Sequence, residues 1–162
     1  MQLDPAPASL APPGARILDA MIVVVVADLD TSIRFCQRFL GSGTLAGAPT
    51  RWRQSDGAER LRALAPIEHR SVLLALPGSA PKLQLMQFRG APQSPFRPLF
   101  QDIGHAHIAL YTHDVPGASA TLHSLGGHTL SRTDTWTRFS PTLTGFYTRD
   151  PDGFFLEVIA RH

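Results

Sequence analysis

An α+β fold built from a duplicated unit is what this 162-residue sequence predicts, and three observations carry the expectation. Met21-Ile22-Val23-Val24-Val25-Val26-Ala27-Asp28 and His107-Ile108-Ala109-Leu110-Tyr111-Thr112-His113-Asp114 are both β-rich runs closed by an aspartate. Each is followed by apolar residues at helical spacing and then a glycine. Near the C-terminus, Asp150-Pro151-Asp152-Gly153 joins a well-specified turn to an apolar run that must be extended.

In the first unit, Leu29-Asp30-Thr31-Ser32 holds the N-cap candidates, Ile33, Cys36, Phe39 and Leu40 form the helical stripe, and Gly41 is the stop. In the second, Pro116 suits a first helical turn, Ala118, Leu122 and Leu125 form the stripe, and Gly126-Gly127 ends it. Both units resume alike, with Gly43-Thr44-Leu45 and His128-Thr129-Leu130. Strands are expected at about 70–76 and 82–88, separated by Pro77-Gly78-Ser79, and at about 146–148 and 154–159. Residues 46–66, with Trp52 and Leu61 to Ala65, admit a strand, a short helix or a loop over a pocket.

Alternation along Phe154 to Ile159 puts Phe155, Glu157 and Ile159 on one face and Leu156 and Val158 on the other. Glu157 is thereby placed among apolar side chains. A buried carboxylate must bind a metal, pair with a cation, accept hydrogen bonds or shift its pKa.

A hydrophobic content of 43% over this length supports one domain with a proper core. The net charge of +2 is spread over scattered arginines rather than a basic stripe, which does not indicate nucleic acid. The longest apolar run, Ala20 to Ala27, is far short of the roughly 20 residues a membrane span needs. Residues 1–15, rich in Ala and Pro, read as a flexible arm rather than a signal peptide. The lone Cys36 falls on the apolar side of its helix and reads as a buried structural thiol, consistent with the cytoplasm. No glycine-rich phosphate loop opens a helix.

The Asp-Leu-Asp after the first strand, the Leu-Gly at the helix end and the Asp-Pro-Asp-Gly-x-x-Leu-Glu tail resemble the vicinal oxygen chelate superfamily of glyoxalases, bleomycin-binding proteins and extradiol dioxygenases. The resemblance covers about residues 16–160. It implies two tandem βαβββ modules, 16–90 and 103–160, joined by a Pro-rich linker at 91–102, with curved mixed sheets enclosing a cleft in one chain or across a homodimer.

Members of this superfamily draw metal ligands from the first and last strand of each module. Carried over by position, these are His107 and Glu157 in module two, and Met21 and Gln84 in module one. Metal-binding members commonly have His or Gln in place of Met21, and the glyoxalase I-like enzymes have a glutamate in place of Gln84. The implied set of Gln84, His107 and Glu157 could hold Ni, Zn, Fe or Mn. Met21, a soft thioether, reads as part of the pocket wall or of the core. If the strand already begins at His105, that residue shares a face with His107, and with Glu157 the pair makes the two-His, one-carboxylate set of non-haem Fe(II) oxygenases.

Trp52, Trp136 and Phe139 are the candidate substrate-pocket residues, and Arg51, Arg53, Arg132 and Arg138 are solvated or meet an anionic ligand. His69, His113, His123, His128 and His162 read as surface or loop residues. The resemblance thus implies a metal-dependent lyase or isomerase acting on a small molecule with neighbouring oxygens, with Glu157 moving a proton. A metal-free binding or resistance protein and an extradiol-type dioxygenase remain open beside it.

Overall fold

The computed structural model describes residues 19–44, 48–54, 67–78, 81–95 and 97–162. The arm at 1–15, the segment Leu61 to Ala65 and Ser79 lie outside them. The elements run β1 (Met21–Val25), α1 (Leu29–Phe39), β2 (Gly43–Thr44), β3 (Arg53–Gln54), β4 (Glu68–Ala75), β5 (Lys82–Arg89), β6 (His107–Tyr111), α2 (Val115–Ser124), β7 (Thr137–Ser140), β8 (Leu143–Arg149) and β9 (Phe155–Arg161). The chain is α+β, two tandem βαβββ modules, each a mixed sheet with one helix among the described residues.

The repeat seen in the residues is a repeat in topology. In the first sheet β1 pairs in parallel with β5, β5 pairs antiparallel with β4, and β2 and β3 both pair with β4. In the second, β6 pairs in parallel with β9, β9 antiparallel with β8, and β7 with β8. The matching resumptions after each helix also correspond. Thr44 pairs with Leu74 of β4, and Thr129 bridges Thr148 of β8.

Both helices begin on the aspartate that closes the preceding strand. Asp28 accepts from Thr31 N at 2.8 Å and Asp114 from Gly117 N at 2.8 Å, so the caps are Asp28 and Asp114 rather than a residue within 29–32. Each aspartate lies three residues past its strand and satisfies an orphan helix donor. Gly41 at φ +65 and Gly126 at φ +76 adopt the left-handed conformation just past the helix ends.

Helix α2, Val-Pro-Gly-Ala-Ser-Ala-Thr-Leu-His-Ser, is a poor helix by propensity, since its glycine alone costs about 1 kcal/mol against alanine. Tertiary burial outweighs this: Val115 and Leu122 are fully enclosed, and burying such a side chain is worth about 1.5–3 kcal/mol. The two helices touch, and one cluster joins Leu29, Phe35, Leu83 and Leu85 of module one to Leu122, Leu156 and Val158 of module two. Cys36 is buried, and burial pushes its thiol up to about 12.

The core therefore lies on the helix side of both sheets. The opposite faces carry Met21, Val23 and Val25 on β1, His107, Ala109 and Tyr111 on β6, and Phe155, Glu157 and Ile159 on β9. The turn before β9 links the modules. Asp150 Oδ1 accepts from Asp152 N and Phe154 N, while the Asp152 carboxylate accepts from Ala27 N at 3.1 Å and Ser32 Oγ at 3.2 Å.

The caps are testable by urea denaturation. Asp28→Ala and Asp114→Ala are each expected to cost about 1 kcal/mol. Gly117→Ala should also destabilise, although alanine is ordinarily the better helix former, because the added Cβ would strike Asp114 Oδ2 and break the cap.

Candidate functional site

Strand register assembles the candidate site in module two. Tyr147 of β8 stands opposite Glu157 of β9, and His107 of β6 stands beside Phe155, two residues back on the same face. The Tyr147 hydroxyl donates to Glu157 Oε1 at 2.7 Å, and His107 Nε2 lies 3.4 Å from Glu157 Oε2. The Glu157 side chain is only 14% exposed, so these neighbours answer the need of a carboxylate in apolar surroundings. Burial first, and the bond to Glu157 second, push the Tyr147 phenol up to about 12.

Aromatic rings surround the carboxylate. Phe100, on the linker, packs at 5.1 Å from Tyr147, 5.3 Å from His105, 5.9 Å from His107 and 6.3 Å from Phe155 between ring centres. Phe139 packs on Tyr147 at 5.8 Å. A cavity of about 380 Å³ opens here, with Phe100, Leu130, Phe139, Tyr147 and Phe155 in its wall. A larger cavity of about 690 Å³ lies between β1, the linker and the Pro151–Phe155 turn. The smaller one is the better candidate, because Tyr147 connects its wall to the carboxylate and His107.

His107 and Glu157 are the two expected site residues that come together. Gln84 lies on the other sheet, bonded to Ser71 Oγ at 3.4 Å, and Met21 is exposed on β1. His105 packs edge-on against Phe155 at 4.5 Å with its ring 5.7 Å from His107. Among the described residues no group of three or more His, Cys, Asp and Glu converges to hold a metal ion.

Phe139 does line the cavity, whereas Trp52 lies under Arg89 at 4.3 Å and Arg70 at 5.2 Å, and Trp136 is exposed just before β7. His69 corrects the surface assignment. It is buried in β4, where it accepts from Arg53 Nε and packs near Phe88, because Arg53 of β3 and Phe88 of β5 stand opposite it on the two flanking strands. His113, His123, His128 and His162 are exposed as expected.

The two groups that spacing alone does not single out are Tyr147 and Phe100. Tyr147 was findable in principle by pairing β8 with β9 across the Asp-Pro-Asp-Gly turn. Phe100 has no such signal, since it sits in a linker.

The Tyr147 phenol contributes stability that is complete below the ordinary tyrosine pKa of about 10 and is lost as pH rises through about 12. Absorbance titration should show a tyrosinate component near 12 that Tyr147→Phe removes and that Glu157→Gln moves downward.

Comparison with known proteins agrees with this architecture. The sequence profile of the Glyoxalase/Bleomycin resistance protein/Dioxygenase superfamily matches residues 20–158. No curated protein sequence matches the chain. A glyoxalase family protein from Bacillus cereus superposes with a TM-score of 0.75 at 15% identity, covering 93% of this chain and 99% of that one. A genomically encoded fosfomycin resistance protein from Listeria monocytogenes gives 0.59 at 16% identity, over 88% and 92% of the two chains. The trypanothione-dependent glyoxalase I of Leishmania major gives 0.58 at 22% identity, over 90% and 87%. At these identities the superpositions speak for the fold, and the profile match over most of the chain identifies it as a member of the Glyoxalase/Bleomycin resistance protein/Dioxygenase superfamily.

Proposed function

We propose that this chain is a glyoxalase-like, metal-dependent lyase or isomerase of small molecules, with Glu157 as its proton carrier. The observation that carries the reading is the Glu157 carboxylate, held at one oxygen by Tyr147 and facing His107 with the other. The residues fit a divalent ion as a half-site. Two ligands at about 2.0–2.2 Å from one ion stand roughly 3 Å apart, close to the 3.4 Å between His107 Nε2 and Glu157 Oε2. A hydroxyl on the far oxygen orients such a carboxylate.

Gln84 is the further donor in this proposal, reaching the pair from the first sheet or from a second copy of the chain. The exposed Met21, Val23 and Val25, in a row on one face of β1, support a homodimer, because exposed apolar surface of this kind marks association. Among the described residues no helix is long and apolar enough to cross a membrane, and the buried Cys36 supports a cytoplasmic site of action.

When bound, an ion such as Ni, Zn, Fe or Mn would polarise the substrate oxygens. The Glu157 carboxylate takes a proton from a substrate carbon beside a carbonyl and returns it to the neighbouring carbon or oxygen. Tyr147 keeps its proton throughout and donates to Oε1, which holds the carboxylate in one orientation. His107 stands on the other side of that carboxylate, and the surrounding rings exclude water.

A specific observation favours a second reading, a metal-free binding protein: Tyr147 and His107 already accompany the carboxylate beside an aromatic cavity. The extradiol-type dioxygenase reading needs His105 in the ligand set, and it requires oxygen consumption with a catechol.

Elemental analysis of protein purified without a His tag tests the proposal. Near-stoichiometric metal is expected in the wild type and its loss in both His107→Ala and Glu157→Ala. No metal after reconstitution with Ni, Zn, Mn, Co or anaerobic Fe(II) would overturn it. The second reading instead expects His107→Ala to keep ligand affinity within about a few fold.

A further inference from the structure

His105 has both ring nitrogens buried and without a hydrogen-bond partner. A neutral imidazole offers one donor and one acceptor, so a ring desolvated at both nitrogens pays a penalty that nothing among the described residues offsets. The position is nevertheless held firmly. Leu99 N donates to Asp102 Oδ2 at 2.7 Å, His105 N donates to Asp102 O at 3.0 Å, and Gly104 at φ +87 makes the left-handed bend that only glycine adopts freely.

Phe100 belongs to the same turn. Its ring contacts His105, His107, Tyr147 and Phe155, yet the residue is 50% exposed. It is an aromatic ring seated at the mouth of an aromatic cavity, on a loop rather than a strand. A planar ligand put in its place would inherit edge-to-face contacts with Tyr147 and Phe155 and come beside His105.

We propose that Phe100 is a placeholder for the ring of an aromatic ligand, and that His105 is the specificity-determining residue that pairs with a hydroxyl or carbonyl oxygen on that ring. The inference rests on the reading of the aromatic cavity beside Tyr147 as the ligand site, and it names the chemical class that site takes. The ring displaces Phe100 toward solvent, the oxygen reaches the imidazole, and one of its two unpaired nitrogens gains a partner. A site with a buried polar group waiting in this way rejects an analogue lacking the oxygen, because binding that analogue leaves the group unpaired.

Naphthol and naphthalene, one ring system with and without the oxygen, are the probes. Binding is measured by calorimetry on the full chain, as purified and after metal removal. Naphthol should bind at least about tenfold tighter than naphthalene to the wild type, and His105→Phe should reduce the ratio to about two while leaving naphthalene affinity in place. Phe100→Ala should tighten both probes, since no ring need be displaced.

In parallel, the ring-nitrogen NMR signals of His105 in the wild type should shift with naphthol and not with naphthalene, a readout independent of whether any variant folds. Unchanged discrimination in His105→Phe, silent His105 nitrogens, or failure of both probes to bind wild type and Phe100→Ala would overturn the proposal. A ratio that survives metal removal separates this inference from the metal-dependent reading. Protein that never holds metal but keeps the ratio defeats only the latter.

Discussion

The Asp150–Gly153 turn is the constraint on which the rest of the site depends. Asp150 accepts two backbone N–H groups with one oxygen, Gly153 takes φ +97, and β9 departs from that turn in a single register with β8. A slip of one residue would turn Glu157 into the core and bring Leu156 to the open face. The same turn sends Asp152 across to the start of α1, so the element that sets the register also stitches the modules together. Burial raises the Asp150 pKa even though three backbone N–H groups act in the other direction. The turn is thus assembled around a partly desolvated carboxyl rather than a solvated one.

Everything chemical about the open face follows from that register. Parallel pairing with β9 carries His107 to the carboxylate, and antiparallel pairing with β8 carries Tyr147 to it. Gly145, on the Tyr147 face of β8, lies so close to β9 that a Cβ there would collide with Val158 O and Ile159, and the missing side chain lets the two strands approach closely beneath the site. Module one has the same pairing scheme and a different chemistry. Its equivalent positions hold the exposed Met21 and the amide Gln84, which donates to Ser71 Oγ. The two modules share their topology, while the carboxylate with its histidine and tyrosine lies in the second.

Much of the fold was legible in the residues because it is local. Strand runs closed by Asp28 and Asp114, glycine stops at Gly41 and Gly126, and the face alternation of Phe155 to Ile159 all depend on neighbours within a few positions. The errors have the same origin. Choosing the cap among residues 29–32 overlooked that the strand's last aspartate already serves α1, and His69 looked peripheral because its burial depends on β3 and β5, far away in sequence.

By itself the sequence determined the two modules, their order of strand and helix, the inward and outward faces of β9, and the isolation of Glu157 among apolar residues. Periodicity, capping and turn chemistry suffice for these. Only the tertiary structure decided that the partners of the carboxylate are Tyr147 and His107, that Gln84 stands on a separate sheet, and that Phe100 covers His105. Such partnerships are set by sheet register and by a linker's path, and both bring together residues whose separation along the chain carries no periodic signal.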